Sequence, residues 1–321
     1  WIYILQSRKI LSSDGLLKSM NPKELLAWKP DVVVFHAVYK KSYWMLSALF
    51  RLHGQPYYVQ PHGSFNCEAQ KKSKWKKRVA NCSAVAAMVR GAEGLIYLSS
   101  SEREFSCWPK TPYGVIPNTV SEKFKRASQT KELKLPIRLM VLGRIEKYGK
   151  GYDRIFRLLK DLPKTVRDRI FLAFYGYGSD GEIKWFQEEM KSLEGVKAEF
   201  YGPIFDEEKR QAFHEGDLYL SLSRYEGQPL TILEAIASGM PVIVTEETGL
   251  GKWIEEEKIG WVLSRNQEGQ WASEFAQVLA VFEADPIAFQ ENVLRIARDL
   301  PTWNEIAKHS ISVYKKERER I

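Results

Sequence analysis

Short apolar runs rich in β-branched and aromatic residues recur along this chain, each followed by a stretch with helical spacing. No other feature limits the possible folds as sharply. In the first half the runs are Ile2–Leu5, Val32–His36, Tyr57–Gln60, Leu95–Ser99 and Val115–Pro117. In the second they are Ile137–Leu142, Ile170–Tyr175, Ala198–Tyr201, Leu218–Leu222, Pro241–Thr245 and Trp261–Leu263. Tyr152–Leu162 and Glu182–Leu193 between them carry helical spacing. Strands apolar on both faces that alternate with helices form parallel sheets covered on both sides. A polar segment at about 118–136 divides the runs into two sets, and 321 residues also suffice for two domains. The reading is α/β. Two doubly wound, Rossmann-like domains, 1–120 and 121–302, face a cleft, and a last helix occupies 303–321. Ligands of such folds sit at the carboxyl ends of the strands.

Hydrophobic residues at 44% and charged residues at 27% permit a packed core and argue against disorder. Runs such as Ile170–Phe174 fall far short of the ~18 residues that cross a bilayer. Trp1–Leu5 lacks the basic flank and cleavage site of a signal peptide. Cys67, Cys82 and Cys107 form no CxxC, so neither a disulfide framework nor a thiolate zinc site is expected, and a reducing cytosol fits. The net charge of +8 is uneven. Residues 1–126 hold 20 Lys/Arg against 8 Asp/Glu, and the remainder 28 against 32. That asymmetry points to an anionic partner for the first half: nucleic acid, anionic lipid or a phosphorylated substrate.

Gly176-Tyr-Gly178-Ser-Asp-Gly181 is a GxGxxG that follows a strand-like run and opens a helix, with Glu199 further on. This is the dinucleotide fingerprint of an NAD-dependent oxidoreductase. The fingerprint normally fills the first βα unit of its domain, whereas here it is the second of its half. A tight βα turn beside a nucleotide crevice accounts for the glycines equally well.

Ser223 to Pro241 is the richest segment. Glu226 sits on the turn at a strand's carboxyl end, Pro229 suits a first helical position, and Gly239 stops the helix. The Leu230 and Thr231 amides at the helix N-terminus can cradle a phosphate. Glu234, one turn on, can accept two hydrogen bonds from a ribose diol. The plain alternative is two surface glutamates flanking an amphipathic helix whose buried stripe is Leu230, Leu233 and Ile236. A second element, Gly143 to Asp153, supplies Arg144 as a fork for phosphate oxygens and Lys150 as a point charge. The plain alternative here is a basic surface loop. No DxD offers a divalent metal a seat, so no metal is expected. A third element, Gln60-Pro61-His62-Gly63, follows a strand and places His62 toward the cleft. A polar turn histidine is the other reading. His36 also ends a strand; His53, His214 and His309 lie in helical or loop contexts.

Together these residues resemble the retaining glycosyltransferases of family 4, which have the GT-B fold. Glu226-x7-Glu234 in EGQPLTILEAIASGMPVI resembles their E-x7-E signature, and GR…KGYD at 143–153 their GR…KG segment. PHG at 61–63, VIPNTV at 115–120 and the closing PTWNEIAKHSISVYKK are similar to further family segments, the last crossing back to the first domain. The resemblance runs from about Val32 to Tyr314. It implies metal-independent, cofactor-free transfer of a hexose-type sugar from a UDP- or GDP-sugar to a glycan or lipid-linked oligosaccharide, in surface polysaccharide or lipopolysaccharide assembly. Under it, Arg144 and Lys150 hold the diphosphate and Glu234 the ribose. Glu226 and the backbone after it (Gly227, Gln228, Pro229, Leu230, Thr231) hold the donor sugar. The Tyr201-Gly202-Pro203-Ile204 turn lines the base, and His62 sits by donor sugar and acceptor. Glu226, His62, Arg144 and Lys150 are then the catalytic set, and the donor phosphate serves as base.

Two departures qualify the resemblance. The family's opening strand and Gly-rich loop have no counterpart before Val32, so the N-terminal domain is expected to be incomplete. A non-catalytic sugar-nucleotide-binding or partner subunit is the alternative function. Thr248–Lys252 also lacks the family's acidic residue after its glycines, with Glu255 the nearest candidate.

Lys71-Lys-Ser-Lys-Trp-Lys-Lys-Arg78 precedes an apolar helical run, Val79–Val89. A basic helix with an embedded Trp suits an anionic membrane surface, or a polyprenyl-diphosphate acceptor. No nucleic-acid module accompanies it, so nucleic acid is not expected. A solvated basic face is the plain reading. The expected location is cytoplasmic, peripheral on the inner leaflet.

Overall fold

In the computed structural model, residues 2–6, 9–12, 26–27, 29–108, 111–125 and 130–318 are described. One unit, Trp1–Asn118 with Asn304–Ile321, is built on six strands. They are β1 (Ile2–Gln6), β2 (Lys9–Ser12), β3 (Val32–His36), β4 (Tyr57–Gln60), β5 (Gly94–Tyr97) and β6 (Tyr113–Val115). Their order is β2-β1-β3-β4-β5-β6. β3 to β6 run parallel, as expected. β1 does not: it pairs antiparallel with both β2 and β3. Gln6 pairs with Lys9, and so short a connection permits only the antiparallel arrangement.

β3 is buried on both faces because each face has its own cover. Val33, Phe35, Tyr57, Val59 and Leu95 meet Tyr43 and Phe50 of the helix Lys41–Leu52, and Val85, Met88 and Val89 of the helix Ala84–Arg90. Val32, Val34, Tyr58 and Ile96 meet Ile306 and Tyr314 of the helix Trp303–Arg318. The apolar run Val79–Val89 is not one helix. Ser83, at φ −126 and ψ −102, separates the helices Lys74–Cys82 and Ala84–Arg90.

The cysteine expectation is corrected. Cys67 and Cys107 are disulfide-bonded, and Cys82 alone is free. Local spacing hid the pair because tertiary pairing makes it. Asn66 bridges Ser106 antiparallel, the Cys67 amide donates to the Phe105 carbonyl at 3.0 Å, and the Cys107 amide donates to the Phe65 carbonyl at 2.8 Å. This brings the two Cα atoms to 5.5 Å. The cysteine count therefore no longer speaks for a reducing compartment.

The other unit, Thr119–Trp303, carries β7 (Ile137–Leu142), β8 (Ile170–Tyr175), β9 (Lys197–Phe200), β10 (Leu218–Ser221), β11 (Val242–Thr245) and β12 (Gly260–Leu263). All are parallel, in the order β12-β11-β10-β7-β8-β9. The chain winds outward from β7 on one side, then returns to β7 and winds outward from β10 on the other. The strand order thus reverses between β7 and β10, where a doubly wound sheet opens a ligand crevice.

The helix Tyr152–Asp161 covers one face through Tyr152, Ile155, Phe156 and Leu159, at the i, i+3, i+4, i+7 positions of a buried stripe. Phe174 of β8 lies beneath it, its ring centroid 5.9 Å from that of Phe156 and 5.2 Å from that of Phe186. Among the described residues no helix is long and apolar enough to cross a membrane. Phe174→Ala should leave an unfilled hole between these rings and cost about 3–5 kcal/mol in urea unfolding.

Candidate functional site

The loop from Gly143 to Gly151 leaves the carboxyl end of β7, and the loop from Leu222 to Pro229 leaves that of β10. They meet at the point of reversal. Gly151 has φ +68, and a Cβ there would stand 1.9 Å from the Leu222 carbonyl oxygen, so only glycine permits the approach. Arg224 closes it from the other side. Its guanidinium makes a two-pronged bond to Asp153 at 2.6 and 2.8 Å and donates to the Tyr148 carbonyl at 2.8 Å. The Arg224 amide donates to the Gly149 carbonyl at 3.0 Å.

This lacing brings Lys150 and Glu226 into direct contact, Nζ to Oε1, with Ser223 Oγ also donating to that oxygen at 3.3 Å. Arg144 stands on the same loop, its side chain 61% exposed, with Glu146 at 3.3 Å. The loop is braced on its far side: the Gly143 and Ile145 amides donate to the Tyr175 and Tyr177 carbonyls at 3.1 and 2.7 Å.

That bracing accounts for the first two glycines of Gly176-Tyr-Gly178-Ser-Asp-Gly181 without a dinucleotide; over Gly181 a Cβ would meet nothing within 4 Å. A Cβ at Gly176 would fall 1.9 Å from the Gly143 carbonyl oxygen, and one at Gly178 would fall 2.8 Å from that of Ile145. These glycines let the β8 turn pack against the β7 loop. The Gly176 amide also donates to the Gly202 carbonyl at 2.8 Å, so the ends of β7, β8 and β9 lie side by side. Over Gly143 and Gly202 a Cβ would meet nothing within 4 Å. Pro203 and Ile204 follow on this edge, and Ile204 packs on the unit's core.

The helix Leu230–Ala237 starts after Pro229, which is its cap rather than its first residue. Ile232, Leu233, Ala235, Ile236 and Ala237 are buried. Leu230 is not part of the buried stripe: it is 46% exposed. Glu234 forms an ion pair with Lys209 at 2.6 Å. Burial pushes the Glu234 carboxyl above its ordinary pKa, and Lys209 pulls against that.

Tyr219 of β10 ties these pieces together. Its hydroxyl donates to the carbonyl of Leu142, at the end of β7, at 2.8 Å. Burial above all raises its pKa. Thr231 hydrogen-bonds to it, and the carboxylates of Glu234 and Glu226 press the same way as burial. The end of β7 and the start of the helix Leu230–Ala237 are therefore tied to one hydroxyl. Gly227 lies close to Gly249, whose φ is +71 and whose Cβ would stand 1.8 Å from the Gly227 carbonyl oxygen. Glu246 and Glu247 both precede the glycines of that neighbouring loop. Glu247 is buried against Arg154 at 3.3 Å, with its own carbonyl accepting from the Glu226 amide at 3.1 Å.

Sequence reasoning missed Tyr219, Lys209, Arg154, Arg224 and Glu247. A tyrosine or arginine inside an otherwise apolar pattern was the available signal, since a buried polar group needs a partner. Lys209 left no such signal.

His62 belongs to the other unit. There His36 Nδ1 and His62 Nε2 are 2.8 Å apart and share a hydrogen bond, at the carboxyl ends of β3 and β4. His62 is in the left-handed region (φ +49), as are Ala37 (φ 79) and Gly63 (φ 74). Buried Glu102 anchors the turn, accepting from the Gly63 and Leu98 amides, the latter at 2.7 Å. Burial raises the Glu102 pKa, and those amides lower it. Burial lowers His36 to about 3, helped by His62, and lowers His62 to about 4. The sequence places both histidines at strand ends without linking them; the structure makes them a pair.

Residues 121–284 match the family described as Glycosyl transferases group 1, and the chain belongs to that family. It is 26% identical over 266 residues to the sulfoquinovosyl transferase SQD2 of Arabidopsis thaliana, covering 79% of this chain and 48% of the relative. Its fold is GT-B. It resembles the sucrose-phosphate synthase of Thermosynechococcus elongatus at TM-score 0.69 and 18% identity, covering 93% of this chain and 77% of that one. It resembles Anabaena Alr3699/HepE in complex with UDP at TM-score 0.69 and 16% identity, covering 92% and 81%. The chain spans less than half the length of the first curated relatives it matches.

The histidine pair yields a pH prediction. Both pKa values lie below the unfolded value near 6.5, so between about pH 4 and 6.5 the unfolded chain binds more protons, and stability falls as the pH falls. His62 keeps part of its ring open to water, so His36 carries the larger share. Lowering the pH from 7 to 5 should remove roughly 1–2 kcal/mol in urea unfolding, and His36→Gln should flatten the slope.

Proposed function

We propose that this group 1 glycosyl transferase moves a hexose-type sugar from a nucleoside diphosphate donor to a glycan or lipid-linked acceptor, with retention and without a metal. The observation that carries the reading is the Lys150–Glu226 contact at the reversal between β7 and β10. A cation and a carboxylate held there in mutual reach match the two halves of a sugar diphosphate. The diphosphate takes Lys150 as a counter-charge, and the sugar hydroxyls take Glu226 as an acceptor. Arg144, open to solvent on the same loop, supplies the second cation. Negative charge grows on the leaving diphosphate in the transition state, and cations fixed beforehand stabilise it most where water is displaced.

The remaining roles follow from position. Glu234, held by Lys209, accepts from the ribose diol. The amides at the start of the helix Leu230–Ala237, with Gly227 and Gln228 before them, face the phosphates. The open backbone edge at Gly202 accommodates the base. His62, in the family-like PHG segment, takes the sugar and acceptor side. Surface polysaccharide assembly is the setting that the motif resemblance supports. The NAD alternative is disfavoured, since Gly176 and Gly178 are spent on packing and residues 121–284 match a glycosyl transferase family.

Lys150→Met should lower kcat roughly 100- to 1,000-fold, the usual cost of one transition-state donor. Glu234→Ala should weaken nucleoside diphosphate binding tenfold or more, in line with ~1.5–3 kcal/mol for a hydrogen bond to a charged group. Glu226→Ala should impair transfer and leave that binding largely intact. Equal loss of both properties in both variants would contradict the roles. Intact nucleotide binding with no transfer or donor hydrolysis in the unaltered chain would favour a non-catalytic subunit.

A thermal-shift screen of nucleoside diphosphates, their sugars and NAD identifies the base first and the sugar second. Because burial raises the Glu234 pKa, nucleotide affinity should fall on acidification from above the ordinary carboxylate range. Glu234→Gln should abolish that dependence.

A further inference from the structure

The basic run Lys71–Arg78 is two-faced. On the helix Lys74–Cys82 the inward side is already engaged. Ala80 packs on the apolar cluster beneath, and Lys77 donates to the Ala69 carbonyl and lies 5.2 Å over the Tyr39 ring. Asn81 accepts from the Tyr39 hydroxyl and donates to Gln70, both at 2.9 Å. At about 100° per residue, Trp75, Val79 and Cys82 fall together on the opposite side. Lys76 borders that stripe on one flank and Arg78 on the other, with the Arg78 guanidinium 5.8 Å over the Trp75 ring.

The helix Lys41–Leu52 repeats the pattern. Tyr43, Ser47 and Phe50 are buried, while Met45, Ala48 and Leu52 point away, in line with exposed Lys41. Both helices pack over the same face of the sheet. Among the described residues, the four most exposed large apolar side chains are Leu52 at 82%, Met45 at 76%, Trp75 at 74% and Val79 at 68%. All four stand on these two outward stripes, in the half of the chain with 20 Lys/Arg against 8 Asp/Glu among its first 126 residues.

We infer that the outward stripes of Lys41–Leu52 and Lys74–Cys82 form one docking face for an anionic lipid surface. Trp75, Val79, Met45 and Leu52 enter the headgroup boundary, and Lys76, Arg78 and Lys41 meet the lipid charges. The combination selects this occupant. Apolar side chains flanked by cations suit an interface that is greasy within and negative at its surface. A nucleic acid would have no use for Met45, Val79 and Leu52, because single strands bind by stacking on several aromatics. The proposal adds a place of work to the transfer reading, and the two fail separately, since the lipid face is tested without any donor.

Cys82 provides a native reporter. It is the free thiol in the apolar stripe, and the other two cysteines are paired with each other. The full chain, labelled at Cys82 with an environment-sensitive fluorophore, is mixed with vesicles of equal parts phosphatidylglycerol and phosphatidylcholine, and with vesicles of phosphatidylcholine alone. We expect sedimentation with the anionic vesicles at low salt, a blue shift of the label, and loss of both at high salt. Lys76→Glu and Arg78→Glu should each weaken partitioning roughly fivefold. Trp75→Ser and Leu52→Ser should weaken it with unchanged thermal unfolding.

Equal binding to neutral vesicles, an unshifted label on bound protein, or charge reversals without effect would overturn the proposal. So would capture of RNA or of a partner protein by this face with no vesicle binding. Nucleoside diphosphate binding, measured on the same samples, shows whether the transfer reading stands or falls independently.

Discussion

The approach of two loops at the reversal between β7 and β10 governs the rest of the unit Thr119–Trp303. Nothing but glycine fits at position 151, because the Leu222 carbonyl oxygen occupies the place of a side chain. That clearance sets Lys150, the preceding residue, against Glu226, four residues beyond Leu222. Arg224 then fastens one loop to the other through Asp153. A substitution at Gly151 would therefore act on the charge pair as well as on the backbone.

Charge is handled with unusual economy around this point. Arg154 and Glu247 are both buried, and Glu268 shares the guanidinium at 2.6 Å. Buried ion pairs seldom add net stability, since desolvation offsets the attraction, but removing one partner costs about 3–5 kcal/mol. Their value here is geometric. They fix the helix Tyr152–Asp161, the loop after β11 and the segment Arg265–Gln270 relative to one another. The ion pairs Lys150–Glu226 and Lys209–Glu234 lie at the same end of the sheet and are only partly buried.

The other unit shows the same habit at the carboxyl edge of its own sheet. His36 and His62 share one hydrogen bond, the turn after β4 sits in left-handed backbone, and a buried glutamate holds that turn by two amides. Left-handed non-glycine residues cost on the order of 1–3 kcal/mol each and persist only where the surroundings over-determine them. Glu102 supplies that constraint.

The sequence by itself determined the layers. The central strands of the second sheet, β7, β8, β10 and β11, were legible because each is a largely buried run whose apolar pattern reports its environment directly, and the helix Tyr152–Asp161 was legible for the same reason. Glu226, Arg144 and Lys150 stood out as charges placed beside glycine in the loops after strands, and Glu234 as a charge one turn into the helix that follows. The tertiary structure alone decided who meets whom. The disulfide between Cys67 and Cys107, the antiparallel β1, the break at Ser83, the His36–His62 bond and the roles of Tyr219, Lys209 and Glu247 all depend on partners distant in the chain or on the path of the backbone between elements. Periodicity records which face of an element is buried. It carries no information about which distant residue arrives there, because that is set by packing, and packing is a property of the whole fold.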